Sequence, residues 1–391
     1  MCLDGFLFND AMCSLLVKKL KERTERIELG CFELAGSTFN LDSPSQVAAV
    51  LFTRLKLPHP GGATLKKHMS TNKSVLEQMK FQHPIVEKIL EYRRLRHAIS
   101  QCIVPLQRFV CDDGFVRSRC EMHTSTGRIL TFEPNLQNVP KDVIIDEISL
   151  RHLFTARPVS IMDFARKWIV ECTISGCVLI SADYSQLELR VLAHLSEDVS
   201  LIAHLSHNRD IFQELSTKWQ VSRETVKKLC YGIIYGMGGK TLAENIKKSV
   251  EEGNKLMQSF FQSFPRVRSY INSTKEKSNV IILGRRRVTC SAKGRQEDVA
   301  RDDRQSINYT IQGTASEIFK KALIRLEDTK KGAIGVVLTI HDEIIIECAA
   351  DVEEETTLWM RQCLENVFPD FKVPLPVKIR SGPNWGSLSI K

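Results

Sequence analysis

Two short segments constrain this chain more than anything else in it. In VVLTIHDEIIIE (336–347), two runs rich in β-branched residues flank a polar centre, His341-Asp342-Glu343. That pattern predicts a hairpin with Asp342 and Glu343 at its turn. In ISADYSQLELR (180–190), a short apolar run, Val178 to Ala182, stops at Asp183. Carboxylates at the tips of adjacent strands can converge on one point. Left alone they repel and take up protons, and a divalent cation removes that conflict. An all-oxygen donor set favours Mg²⁺, which keeps waters and substrate phosphates in its octahedron. Two such ions about 4 Å apart can activate an attacking oxygen and stabilise a leaving one. Either segment by itself also reads as an ordinary strand end with a turn aspartate.

A third segment, VSRETVKKLCYGIIYGMGG, carries Arg223, Lys227, Tyr231 and Tyr235 at intervals of four, with Gly236 marking the probable end. On a helix over 222–235 these four lie along one slowly drifting stripe. A triphosphate along it would meet Arg223 as a bidentate partner and Lys227 as a point charge. Sugar and base would reach the two tyrosines, where stacking is indifferent to sequence. The alternative is an amphipathic helix with buried aromatics. YGMGGK lacks the P-loop spacing. Arg304, Asn308 and Gln312 repeat the same spacing on a predicted helix over 299–326, where donor-rich side chains suit minor-groove acceptors. TGRILTFEPNLQNVP places Arg128, Asn135, Gln137 and Asn138 in a loop too polar for a core. Arg285, Arg286 and Arg287 read equally as a phosphate clamp or a solvated cluster.

Around these segments the chain is organised as α+β. A helical, basic N-terminal part (helices over 10–30 and 84–103, a Pro/Gly break at 58–62) precedes mixed strands and helices from about 115. The expected core is a small antiparallel sheet with helices on one face. The 391 residues hold 55 Lys+Arg against 46 Asp+Glu, a net charge of +9, which favours a polyanionic partner without defining chemistry. The N-terminal helix faces read equally as solvated surface or DNA contact. Twelve cysteines lie scattered with no C-x-x-C pair, which predicts reduced thiols and no zinc site. The N-terminus has no basic signal region, and no apolar run approaches the roughly 20 residues a bilayer span needs. A soluble protein without a membrane partner is expected.

Together, TGRILTFEPNLQNVP, DYSQLELR, RETVKKLCYGIIYG, RQSINYTIQG and HDE stand in the order seen in the family A DNA polymerases, which the chain resembles over nearly its whole length. ADYSQLELRVLAHLS, LCYGIIYGMGGKTL, LGRRR and ISLRHLF resemble the theta-type branch. The resemblance implies a right-hand fold: thumb 1–110, palm 111–195 and 290–391, fingers 196–289. It implies that Asp183 and Asp342 ligate two Mg²⁺ ions (Mn²⁺ as a substitute) with the Tyr184 backbone carbonyl. Glu343 becomes a supporting acid near the primer end, and Glu188 the steric gate against a ribose 2′-hydroxyl. Gln186, Arg223, Lys227, Tyr231 and Tyr235 complete the dNTP set. Arg128, Asn135, Gln137, Arg285, Arg286, Arg304, Asn308, Gln312 and His341 are assigned to the primer–template DNA.

The resemblance further implies a theta-like repair role (end joining or lesion bypass), a nuclear location, and additional domains or repair partners. A polymerase nu-like or gap-filling enzyme is the alternative, and an inactive DNA-binding scaffold a remote one. Nothing exonuclease-like is legible, so proofreading is not expected of this polypeptide. The chain departs from the pattern in four places. Phe212 replaces a bacterial phosphate-contacting histidine, and VTC rather than YLP follows LGRRR. Residues 156–177 are longer than the family needs, and the stretch between the Gln312 helix and His341 is short.

Overall fold

A computed structural model describes residues 4–60, 69–141, 143–158, 176–207, 210–275, 279–282, 285–288 and 296–391. The side chains of 145, 275, 279–282, 285–288 and 296–304 also lie outside that description, among them those of Arg285, Arg286 and Arg304. So does most of the unexplained 156–177 stretch.

The N-terminal part is built on helix α1 (Asp10–Ala35) and helix α2 (Pro84–His97), which pack on each other. In α1, Cys13, Leu16, Leu20, Ile27, Cys31 and Ala35 recur at helical spacing and are buried. Asn9 Oδ1 accepts from Met12 N at 2.9 Å, and Gly36 ends the helix at φ +67°. The α2 stripe Ile85, Ile89, Tyr92 and Leu95 closes over it. Strand Phe6–Phe8 then pairs with Phe115–Val116 and Phe154–Thr155, tying this part to the rest.

At the centre lies a five-stranded antiparallel sheet. Its strands are β1 (Cys177–Tyr184), β2 (Gly335–Ile340), β3 (Glu343–Ala349), β4 (Val377–Gly382) and β5 (Ser389–Ile390), in the order β2-β3-β1-β4-β5. Helices α3 (Leu187–Ser196), α4 (Ile211–Trp219), α5 (Arg223–Ile234), α6 (Gln296–Thr329) and α7 (Glu353–Glu365) surround it. Among the described residues no helix is long and apolar enough to cross a membrane, and the nine described cysteines are free.

Two expectations need correction. The sheet is covered on both faces, not one. Ile180, Ala182, Tyr184, Ile344 and Ile346 join the core of α3–α7, whereas Leu179, Ile345, Leu338 and Ile340 join the N-terminal core. Alternation along each strand sends neighbours to opposite sides, so β1 and β3 read as nearly continuous apolar runs because both faces are dry. Second, Glu343 is not in the turn. His341 and Asp342 alone connect β2 to β3, with His341 at φ +55°, and Glu343 is already paired with Ile340.

Leu179→Ala and Ile180→Ala should therefore each cost about 2–4 kcal/mol in urea unfolding. A one-faced sheet would leave one of the two near zero.

Candidate active site

The acids are brought together by strand register. Glu343 of β3 stands directly opposite Asp183 of β1, and Tyr184 N donates to the Asp342 carbonyl at 3.2 Å. Asp183 falls on the same face as Leu179 and Ser181, because side chains alternate. Ser181, wholly buried, donates its hydroxyl to Glu343 Oε1, which fixes that carboxylate. The Tyr184 ring goes to the opposite face, where its hydroxyl donates to Leu364 O at 2.8 Å.

Burial makes this pair of aspartates electrostatically uncomfortable. Desolvation, followed by the Glu343 charge, pushes Asp183 up to about 6. Desolvation, followed by Asp183 itself, pushes Asp342 up to about 7. Two carboxylates that repel each other and resist ionising near neutrality are what a divalent cation would relieve. Among the described residues, no three Asp, Glu, His or Cys side chains converge to hold a metal unaided. A two-carboxylate site fits Mg²⁺ only if waters and substrate oxygens complete the shell.

On the α3 side, Glu188 is 8% exposed and is the hub of a network. Arg128 pairs with its Oε1, and the Tyr235 hydroxyl donates to its Oε2 at 2.9 Å. Burial and Glu188 push the Tyr235 phenol up to about 12. Burial likewise raises Tyr231, whose ring stacks on Tyr235 with centroids 6.2 Å apart. Glu188 further raises Asp342 and Arg128 lowers it, which puts the two groups within electrostatic reach of that aspartate. His341 is held low by desolvation, with Arg128 next in effect.

The loop carrying Arg128 is pinned three ways. Ser316 Oγ donates to Gly127 O at 2.5 Å, Thr124 Oγ1 to Arg128 O at 2.9 Å, and Gln137 Nε2 to both Ile129 O and Thr339 O at 3.0 Å. Gln137 is thus a staple between the loop and β2, where the sequence suggested DNA contact. The Asn135 amide oxygen is likewise engaged, accepting from Gln137 N at 3.1 Å and Thr131 Oγ1 at 3.3 Å. Short polar loops attract functional readings, but their backbone groups must be satisfied first. Asn308 and Gln312 are half-buried on α6, two turns and one turn before Ser316 respectively. Among the described residues, Asn308 Oδ1 and Gln186 Oε1 are buried with no protein partner.

On helix α5, Lys227 is exposed and Arg223 pairs with Asp210 at 2.8 Å. The stripe is therefore present, and its leading cation is engaged. The sequence reading missed a set of cations on the other flank. Lys141, Lys378 and Arg380 each lower Asp183, and Arg151 faces Glu343. With His152 and Trp385, Lys141, Arg151 and Arg380 line a cavity of about 470 Å³ that reaches Glu343. Arg151 lies 4.1 Å over the Trp385 ring, and burial lowers its guanidinium to about 10. The sequence assigned these residues no role, although Arg151 and His152 lie in ISLRHLF; for 378 and 380, only the pairing of β4 with β1 brings them beside 183.

A strand-centred acid pair, a buried glutamate hub and a basic-to-aromatic helix stripe define a class, and the comparisons give it a name. The model of DNA polymerase family A matches residues 10–387. The chain belongs to that family. It is 44% identical to DNA polymerase theta of Caenorhabditis elegans over 98% of this chain and 23% of that one. It is 33% identical to the thermostable DNA polymerase I of Thermus aquaticus over 97% of this chain and 46% of that one. A solved structure, the POL domain of Pol1 from M. smegmatis in complex with DNA primer-template and dNTP, superposes with a TM-score of 0.82. That match has 26% identity and covers 98% of this chain and 68% of the other. The fold is thus the right-hand polymerase fold, and the chain spans less than half the length of these two curated relatives.

The raised aspartates have a consequence for stability. A carboxyl whose folded value lies above its unfolded one contributes stability below pH ~4 that is lost as pH rises through about 7. In chelator, Asp342→Asn should therefore stabilise the chain by about 1–3 kcal/mol at pH 8 and not at pH 4. Calorimetry at the two pH values decides it, and added Mg²⁺ should stabilise the parent more than the variant.

Proposed function

We propose that the chain is the polymerising core of a template-directed DNA polymerase, with primer–template DNA and dNTPs as its partners. The observation that carries this is the register placing Asp183, Asp342 and Glu343 together, facing the Arg128–Glu188–Tyr235 network. A nuclease could use the acids, but it has no need of the nucleotide stripe beside them. The M. smegmatis protein, described with primer-template and dNTP bound, supports the same partners.

In this reading the thumb is 1–110, the palm 111–195 and 290–391, and the fingers 196–289. Asp183, Asp342 and the Tyr184 carbonyl would hold two Mg²⁺ ions, with Mn²⁺ able to replace them. The ions' chemistry is activation of the primer 3′-hydroxyl and stabilisation of the departing pyrophosphate. The chain's own residues position the reactants. Arg223 and Lys227 take the triphosphate, Tyr231 lies against the sugar, and Tyr235 stacks at the nascent pair. Glu188, immobilised by Arg128 and Tyr235, is a rigid wall against a 2′-hydroxyl rather than a side chain that can swing away. Arg128, Asn308, Gln312 and His341 follow the primer–template, and Gln186, whose Oε1 is buried with no protein partner, belongs to the dNTP set. The cations Lys141, Arg151 and Arg380 flank the acids with partners for strand phosphates. By the same resemblance Asn135, Gln137, Arg285, Arg286 and Arg304 contact the DNA. The theta similarity supports a repair setting and a nuclear location.

Primer extension with one dNTP at a time tests the core reading. Asp183→Ala or Asp342→Ala should lower template-matched addition by on the order of 10³-fold while primer–template affinity holds. EDTA should abolish addition. Retained activity would remove the metal assignment. Glu188→Ala should raise ribonucleotide incorporation about 10–100-fold, and unchanged sugar selectivity would remove the gate.

A further inference from the structure

Asp210 is a residue that neither the sequence motifs nor the family assignment singles out. It precedes α4, and its two carboxylate oxygens do different things. Oδ1 caps the helix, accepting from Phe212 N at 3.0 Å and Gln213 N at 3.3 Å. Oδ2 accepts from Arg223 Nε at 2.8 Å. Arg223 is the first residue of α5, and its guanidinium lies 5.7 Å over the ring of buried Phe212. The first cation of the nucleotide stripe is thus drawn to the start of a neighbouring helix.

We infer that Asp210 is a positioning residue for Arg223: its carboxylate holds the guanidinium through Nε, in competition with the incoming triphosphate. The inference deepens the nucleotide-site reading above and rests on Arg223 being a triphosphate partner. Two features make the contact an exchangeable latch. Both side chains are about half exposed, 49% for Arg223 and 41% for Asp210, and ion pairs in water are weak. A triphosphate, with several charges and a bidentate oxygen edge, outcompetes a single carboxylate. The carboxylate is also anchored by its capping bonds, so the pair opens by movement of Arg223 and not of Asp210. Preorientation of the arginine is thereby obtained at the cost of weaker nucleotide binding.

Asp210→Asn separates these roles, since asparagine caps a helix as well as aspartate does. It removes the charge and keeps the cap. The readouts are dNTP affinity of the chain on a dideoxy-terminated primer–template, and KM and kcat in primer extension. Asp210→Asn should tighten dNTP binding and lower KM by up to about fivefold, with kcat within about twofold. High salt, which screens the pair, should shrink the difference. Asp210→Ser, which also caps, should give the same shift. In an Arg223→Ala background, Asp210→Asn should change nothing. If Arg223→Ala leaves dNTP affinity unaltered, the nucleotide-site reading itself fails. Should Arg223→Ala weaken binding while Asp210→Asn leaves it unchanged or weaker, the latch is overturned. An equal gain in the Arg223→Ala background would overturn it as well, by reducing the effect to general charge.

Discussion

The structure depends on one pairing, the antiparallel register of β1 with β3. It sets Asp183 opposite Glu343 and places Asp342 at the connection beside them. Acids from two distant segments of the chain would not be brought together for stability, since burying a charge costs its water. Apolar residues on both faces of the same strands hold the register. A slip by one residue would turn Ile180 and Ile346 towards the N-terminal core and Leu179 and Ile345 away from it. The hydrophobic alternation thus fixes, and offsets, an electrostatic conflict that the site needs.

Glu188 extends this logic to the other side of the cleft. It is buried within electrostatic reach of Asp342 and is tolerated because Arg128 and Tyr235 each bond one of its oxygens. Arg128 is in turn placed by a loop whose backbone is stapled by Ser316, Thr124 and Gln137. Residues from the loop, α3, α5, α6 and the β2–β3 hairpin therefore form one connected unit. A substitution in any of them moves more than its own contact.

The acids and the helix stripe were legible because both are local patterns. A carboxylate ending an apolar strand and a four-residue repeat survive translation from sequence to structure unchanged. The α5 helix, expected over 222–235, runs Arg223–Ile234, and β1, expected to stop at Asp183, continues one residue further to Tyr184. For Gln137 and Asn135 the sequence did not show their bonds within the chain, because polarity in a loop looks the same whether a side chain faces a ligand or satisfies the chain's own backbone. The cover on both faces of the sheet was missed for a related reason: continuous apolar runs do not say what packs on each side. Lys141, Arg151 and Arg380 were assigned no role, since single cations acquire meaning only from neighbours.

What the sequence determined by itself is therefore the family and the secondary structure that presents the acids and the helix stripe. Side-chain periodicity is a property of the local chain, and ordered motifs over most of the length fix the family. What only the tertiary structure decided is which charges meet. Glu188 with Arg128 and Tyr235, Arg223 with Asp210, and the cations around Asp183 are long-range juxtapositions. They follow from strand order and helix packing, which no local spacing encodes.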